Sequence, residues 1–200
     1  MNEKISEIIT MRLLMGLGEE KLTYIKLHFY IESILSETEK IIVLLILFGI
    51  VGKIRSLLLI YIVAILVRRY SGGNHCMTFV ACLFYSVIIC FGIVVLARAL
   101  EYVDDFIMCG VVFFHVLIMI MFAPIKSNFR PTLKKEDVIQ IKIKGVLGIL
   151  IVSTLYYILN TNDRKIIFLT LLFLLIDEMV ACCLYYLKMK GVIGDEENNS

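Results

Sequence analysis

Apolar residues occur along this chain in long runs separated by short polar breaks. Residues 41–52 and 56–67 are two such runs, parted by Lys53 and Arg55. Runs at 78–100, 106–123, 145–159 and 166–187 follow. A straight helical crossing of a bilayer takes roughly 20 apolar residues. Run 78–100 is long enough to cross, 106–123 predicts the return, and 145–159 with 166–187 predicts a last hairpin. The two earlier runs are shorter than a full crossing. They predict a hairpin of two short or flank-extended helices, with one interrupted span as the alternative.

The breaks have their own patterns. Residues 1–36 form an amphipathic N-terminal region. Ile5, Ile8, Ile9, Leu13, Leu22, Ile25 and Phe29 recur at helical spacing among Glu3, Lys4, Glu7, Arg12 and Lys26, with a break near Gly16 and Gly18. Such a helix lies in the headgroup plane or packs as a polar cap on the membrane part. Ser36 followed by Glu39 has the spacing of a capping box and predicts a helix restart. Glu101, Asp104 and Asp105 make an acidic turn. Residues 124–144 make a basic loop with Lys126, Arg130, Lys134, Lys135, Lys142 and Lys144. Residues 191–200 predict a disordered polar tail. The expected fold is all-α: a polytopic transmembrane helical bundle of about six membrane helices with an N-terminal interfacial helix, in one integral membrane domain over 1–190.

Composition sharpens this. Hydrophobic types make up 60% of the 200 residues and charged types 19%, against about half and a quarter for soluble domains. A water-soluble core cannot hide that excess, so lipid must solvate much of it. The Lys/Arg excess of the 124–144 loop predicts that it is cytoplasmic. Counting spans then puts residues 68–77 and both termini on the same side. No nucleic-acid partner is implied by a net charge of +2. The six cysteines include no CxxC pair and no zinc-site spacing, so neither a metal, a cofactor nor a disulfide framework is expected.

Candidate chemistry concentrates in one polar island between apolar runs, Arg68-Arg69-Tyr70-Ser71-Gly72-Gly73-Asn74-His75, with Cys82 beyond it. A thiol beside an imidazole makes a nucleophile at neutral pH. His75 and Cys82 return to nearly the same helix face, but a rise of 1.5 Å per residue leaves them about 10 Å apart on a straight helix. His75 must therefore fold back, and Gly72 and Gly73 give the backbone that freedom. Cys76 is the competing nucleophile. The bland alternative makes both cysteines packing thiols and His75 a helix cap. Arg68 and Arg69 are topology anchors or ligands for a substrate carboxylate or carbonyl. Ser86 lies one turn after Cys82 and either lines the same groove or bonds its own backbone. Asp177 and Glu178 fall inside the last apolar run, where acids are costly and tend to be paired or functional. They are candidates to orient His75 or to hold Arg98. His115, mid-span, reads as a packing residue. A different class of reading is a membrane transporter or peptide exporter that uses Asp177 and Glu178 as its ion site.

The Arg68-to-His75 stretch, followed after six residues by Cys82, resembles the signature of the accessory gene regulator B family. The Pro-containing basic loop from Ala123-Pro124 to Arg130-Pro131 and the order of elements are similar too. The resemblance implies an integral membrane cysteine endopeptidase that cuts the C-terminal part off a short quorum-sensing propeptide. It implies Cys82 as the nucleophile, His75 as general base and acid, and Arg68 and Gly73 as further motif positions. The acyl-enzyme would be attacked by a cysteine of the peptide, closing a thiolactone ring. A homodimer is also implied, and the N-terminal amphipathic segment becomes a docking surface for the propeptide.

Overall fold

The structure is a computed structural model, and it describes residues 7, 9–12, 21–71, 79–123 and 135–189. Every regular element among them is a helix. After a helical stretch at 9–12 come α1 (Lys21–Ile50), α2 (Ile54–Ser71), α3 (Phe79–Ala99), α4 (Asp105–Phe122), α5 (Lys135–Ile158) and α6 (Thr161–Met189). The all-α expectation holds. Among the described residues four helices, α3 to α6, are long and apolar enough to cross a membrane, and these are the helices of a membrane protein. Helices α1 and α2 miss that standard because charge interrupts them. Glu37, Glu39 and Lys40 lie within α1, and Arg55, Arg68 and Arg69 within α2.

The chain divides into two compact units. One comprises residues 1–54 and 77–84, the other 55–76 and 85–200.

In the first unit, α1 runs unbroken through Ser36–Glu39, so the expected restart is absent. No Gly or Pro interrupts the sequence there, and the Thr38 hydroxyl donates back to the Ile34 carbonyl at 2.7 Å, a bond that lets a hydroxyl sit inside a helix. The helix ends instead at Gly52, whose φ of +68° suits glycine. The Lys53 amide donates to the Phe48 carbonyl at 2.8 Å and the Gly52 amide to Gly49 at 3.1 Å. That pairing is the Schellman termination of a helix. The apolar runs 41–52 and 56–67 are thus on separate helices, as the charge break predicts.

In the second unit, α6 is the most enclosed helix. Half of its membrane-length window is buried, against 17% to 28% for α3, α4 and α5. Its neighbours tie to it and to one another near their ends. Arg55 at the start of α2 pairs with Asp163 at the start of α6. Lys165 donates to the Leu100 carbonyl just beyond α3 at 2.6 Å, and Tyr156 near the end of α5 donates to Asp105 at the start of α4 at 3.2 Å. The Lys142 ammonium in α5 donates to the Ile120 carbonyl near the end of α4. Alternating ends therefore meet, as antiparallel crossings require. Helix α2 is the parallel neighbour of α6. Its Arg68 meets Asp177 at 3.4 Å, and Arg55 to Arg68 and Asp163 to Asp177 both span roughly 20 Å of helix.

Two local features qualify the sequence reading. Asp104 caps α4, its carboxylate accepting from the Phe106 amide at 2.8 Å, so the acidic turn is a helix start. The second half of the expected basic loop, from Lys135 onward, is helical and forms the first turns of α5. Its lysines alternate with Val138, Ile139, Ile141 and Ile143, and a helix satisfies that backbone without help from water. Large apolar side chains, among them Phe84, Ile88, Phe106 and Phe113, are exposed.

Candidate active site

Cys82 lies in the first turn of α3 and is half-buried. It does not stand among apolar groups alone. The Lys40 ammonium, from α1, donates to Cys82 Sγ at 3.3 Å. The same ammonium pairs with Glu37 Oε1, one turn earlier on α1. All three residues belong to the first unit. Lysine ordinarily keeps its head in water, yet Lys40 is only 4% exposed while Glu37 is half-exposed. The Lys40 ammonium is held above lysine's ordinary value. Burial pulls it down, and the hydrogen bonds and charges of Glu37 first and Cys82 second more than offset this.

The remaining predicted residues fall as follows. His75 and Gly73, with the competing Cys76, lie outside the described residues. Ser86 is half-buried on α3, one turn beyond Cys82, and Arg69 is exposed in the last turn of α2. Arg68, in the same turn, is partly exposed and pairs with Asp177. Asp177 therefore holds Arg68, not the exposed Arg98. The other free cysteine near this part of α3, Cys90, is buried.

Glu178 has a different partner from those expected. Its Oε2 lies 3.0 Å from His115 Nδ1, and both side chains are almost wholly buried. His115 Nε2 lies 2.8 Å from the Leu171 carbonyl. His115 is thus no plain packing residue. Its apolar sequence neighbours concealed a polar partner on another helix.

Sequence reasoning missed Lys40 and His115. Lys40 sits where an apolar run begins, which is also where an ordinary anchoring lysine sits. The only signal available was that it borders the run without a matching break in the helix.

Three comparisons bear on this site. The family model described as Accessory gene regulator B matches residues 3–182, a range that contains the Arg68-to-His75 island, Lys40 and Cys82. An AgrB-like protein of Clostridium beijerinckii is 24% identical over 175 residues, covering 88% of this chain and 83% of the relative. No solved structure matches the chain.

Proposed function

Because the chain belongs to the accessory gene regulator B family, whose members take part in processing quorum-sensing peptides, we propose that it is a membrane-embedded cysteine endopeptidase acting on a short propeptide. The observation that supports this best is the setting of Cys82. Its sulfur, in the first turn of α3, accepts a hydrogen bond from the charged Lys40 ammonium.

The chemistry follows from the residue types. His75 removes the Cys82 thiol proton. The sulfur attacks the scissile carbonyl, and a carbon–sulfur bond forms. The carbon–nitrogen bond then breaks, and the imidazolium returns its proton to the leaving amine. The N-terminal product stays on Cys82 as a thioester. A cysteine thiol of that peptide attacks the thioester, closes a thiolactone, and restores Cys82. Water would compete for the thioester, so a half-buried Cys82 favours ring closure over hydrolysis. Arg68, which pairs with Asp177, binds a carboxylate or carbonyl of the propeptide. Gly73, Arg69 and Ser86 are supporting positions for propeptide binding. The site lies near the cytoplasmic face, with both termini cytoplasmic, and the protein acts as a homodimer.

The transporter reading needs free acids in the last helix. Asp177 and Glu178 are each engaged, by Arg68 and His115, which weighs against it.

The test uses the full chain in vesicles with a candidate short propeptide. Mass spectrometry should find the C-terminal fragment released and the N-terminal part attached to Cys82. Cys82→Ala and His75→Ala should each abolish both. Release of the fragment by Cys82→Ala would end the proposal.

A further inference from the structure

We propose that Lys40 is a third catalytic group: the cation that accompanies the negative charge of the Cys82 sulfur before attack and of the carbonyl oxygen after it. This rests on Cys82 being the nucleophile.

The argument begins with where the ammonium is. Glu37 is half-exposed, so Lys40 had no need to leave water to pair with it. Instead the side chain turns inward, until its ammonium is buried and 3.3 Å from Sγ. A neutral thiol is a weak acceptor. Burying an ammonium against one returns little of the cost of leaving water. A thiolate in the same place returns far more, because hydrogen bonds between charged partners are the strong ones. The contact therefore suits the state of Cys82 that attacks.

The same placement serves the next step. When sulfur bonds to the scissile carbon, the charge moves to the carbonyl oxygen, two bonds from Sγ. An ammonium already in contact with the sulfur follows it by a small rotation of a flexible stem. A donor aimed at that oxygen is worth roughly a hundredfold to a thousandfold in rate. Lys40 transfers no proton in this scheme. The thiol proton goes to His75 and from there to the leaving amine, and Lys40 keeps its charge throughout. Glu37 is a positioning residue, which holds the ammonium toward the sulfur from outside.

The experiment measures alkylation of Cys82 by iodoacetamide at pH 7 in vesicles, followed by mass spectrometry of the Cys82 peptide, beside propeptide cleavage by the same preparations. Lys40→Met should lower alkylation about tenfold, the effect of about 1.4 kcal/mol on the charged sulfur, and cleavage by about a hundredfold or more. Lys40→Arg should keep most of the alkylation. Lys40→Gln replaces Lys40→Met if the latter is not recovered in membranes. Unchanged alkylation in the neutral variants overturns the proposal, whether or not cleavage falls, since a merely structural lysine would leave the sulfur's reactivity alone. If those variants alkylate normally while Cys82→Ala is inactive, the nucleophile stands and only the role of Lys40 is lost. If Cys82→Ala still cleaves, the nucleophile assignment fails first, and the role of Lys40 falls with it.

Discussion

The His115 imidazole and the Glu178 carboxylate meet at 3.0 Å in the interior of the second unit. His115 Nε2 faces the Leu171 carbonyl at 2.8 Å, and a carbonyl only accepts, so Nε2 carries hydrogen. Nδ1 then either donates to a carboxylate or accepts from a carboxylic acid. Both arrangements are neutral overall, which is what a membrane interior tolerates. Glu178→Ala leaves Nδ1 buried without a partner and should cost on the order of 3 kcal/mol. Glu178→Gln supplies an N–H to the same nitrogen and should cost less than about 1 kcal/mol. His115→Phe combined with Glu178→Leu should recover most of the loss of the alanine variant. Thermal unfolding in detergent would check the order. An alanine variant as stable as the glutamine variant would contradict it.

Arg68 and Asp177 make a second pair of a different kind. Both side chains keep some contact with the surroundings, at 37% and 15% exposure, and pairs of that sort add less than about 1 kcal/mol. Asp177→Asn should therefore leave the melting temperature nearly unchanged. If Arg68 binds the propeptide from this position, the same variant should lower cleavage several-fold by raising KM, with Cys82 alkylation intact. Exchanging the two charges, Arg68→Asp with Asp177→Arg, should likewise leave stability near the parent's but should not support cleavage, because the cation then stands on the wrong helix.

The elements that the bilayer dictates were the ones the sequence announced. Runs 78–100 and 106–123 became Phe79–Ala99 and Asp105–Phe122, because hydrocarbon thickness leaves a crossing helix little freedom in length. Signals that depend on local competition misled. Ser36 and Glu39 have capping spacing, but a cap needs the chain before it to leave the helix, and Leu35 does not. Lys135 to Lys144 look like a loop by charge, yet their backbone is helical. The polar pairs were illegible for a further reason. Lys40 is 42 residues from Cys82 and His115 is 63 from Glu178, so no pattern within one helix reveals either contact. Arg68 and Cys82 belong to the motif that the sequence singles out, and Lys40 belongs to no such motif.

Lys40 also gives a pH signature. Its folded-state value is raised above 10.5, so the stabilisation it shares with Glu37 is fully present below that pH and is lost as pH rises through the folded value. Neutral to mildly alkaline conditions should leave this contribution intact. Above about pH 10.5 the parent chain should lose stability more steeply than Lys40→Met, which has no such proton to lose. Parallel melting curves for the two proteins across that range would show that the ion pair carries no stability.

Gly148 tests how tightly α2 and α5 approach. A methyl group there would collide with the Leu66 carbonyl oxygen of α2, which is backbone and cannot swing aside. Gly92, on α3, has nothing within 4 Å of the same position. Small residues let membrane helices pack with their backbones close, and overpacking such a contact costs about 1–3 kcal/mol. Gly148→Ala should therefore destabilise by that amount. It should also disturb the end of α2 that carries Arg68, lowering cleavage. Gly92→Ala faces open space and removes a helix-weakening glycine, so it should be neutral or stabilising by up to about 1 kcal/mol. Measured side by side in detergent, the two alanine variants should move the melting temperature in opposite directions or leave Gly92→Ala unmoved. Equal destabilisation would mean that glycine serves at both places for backbone flexibility, not for the closeness of α2 and α5.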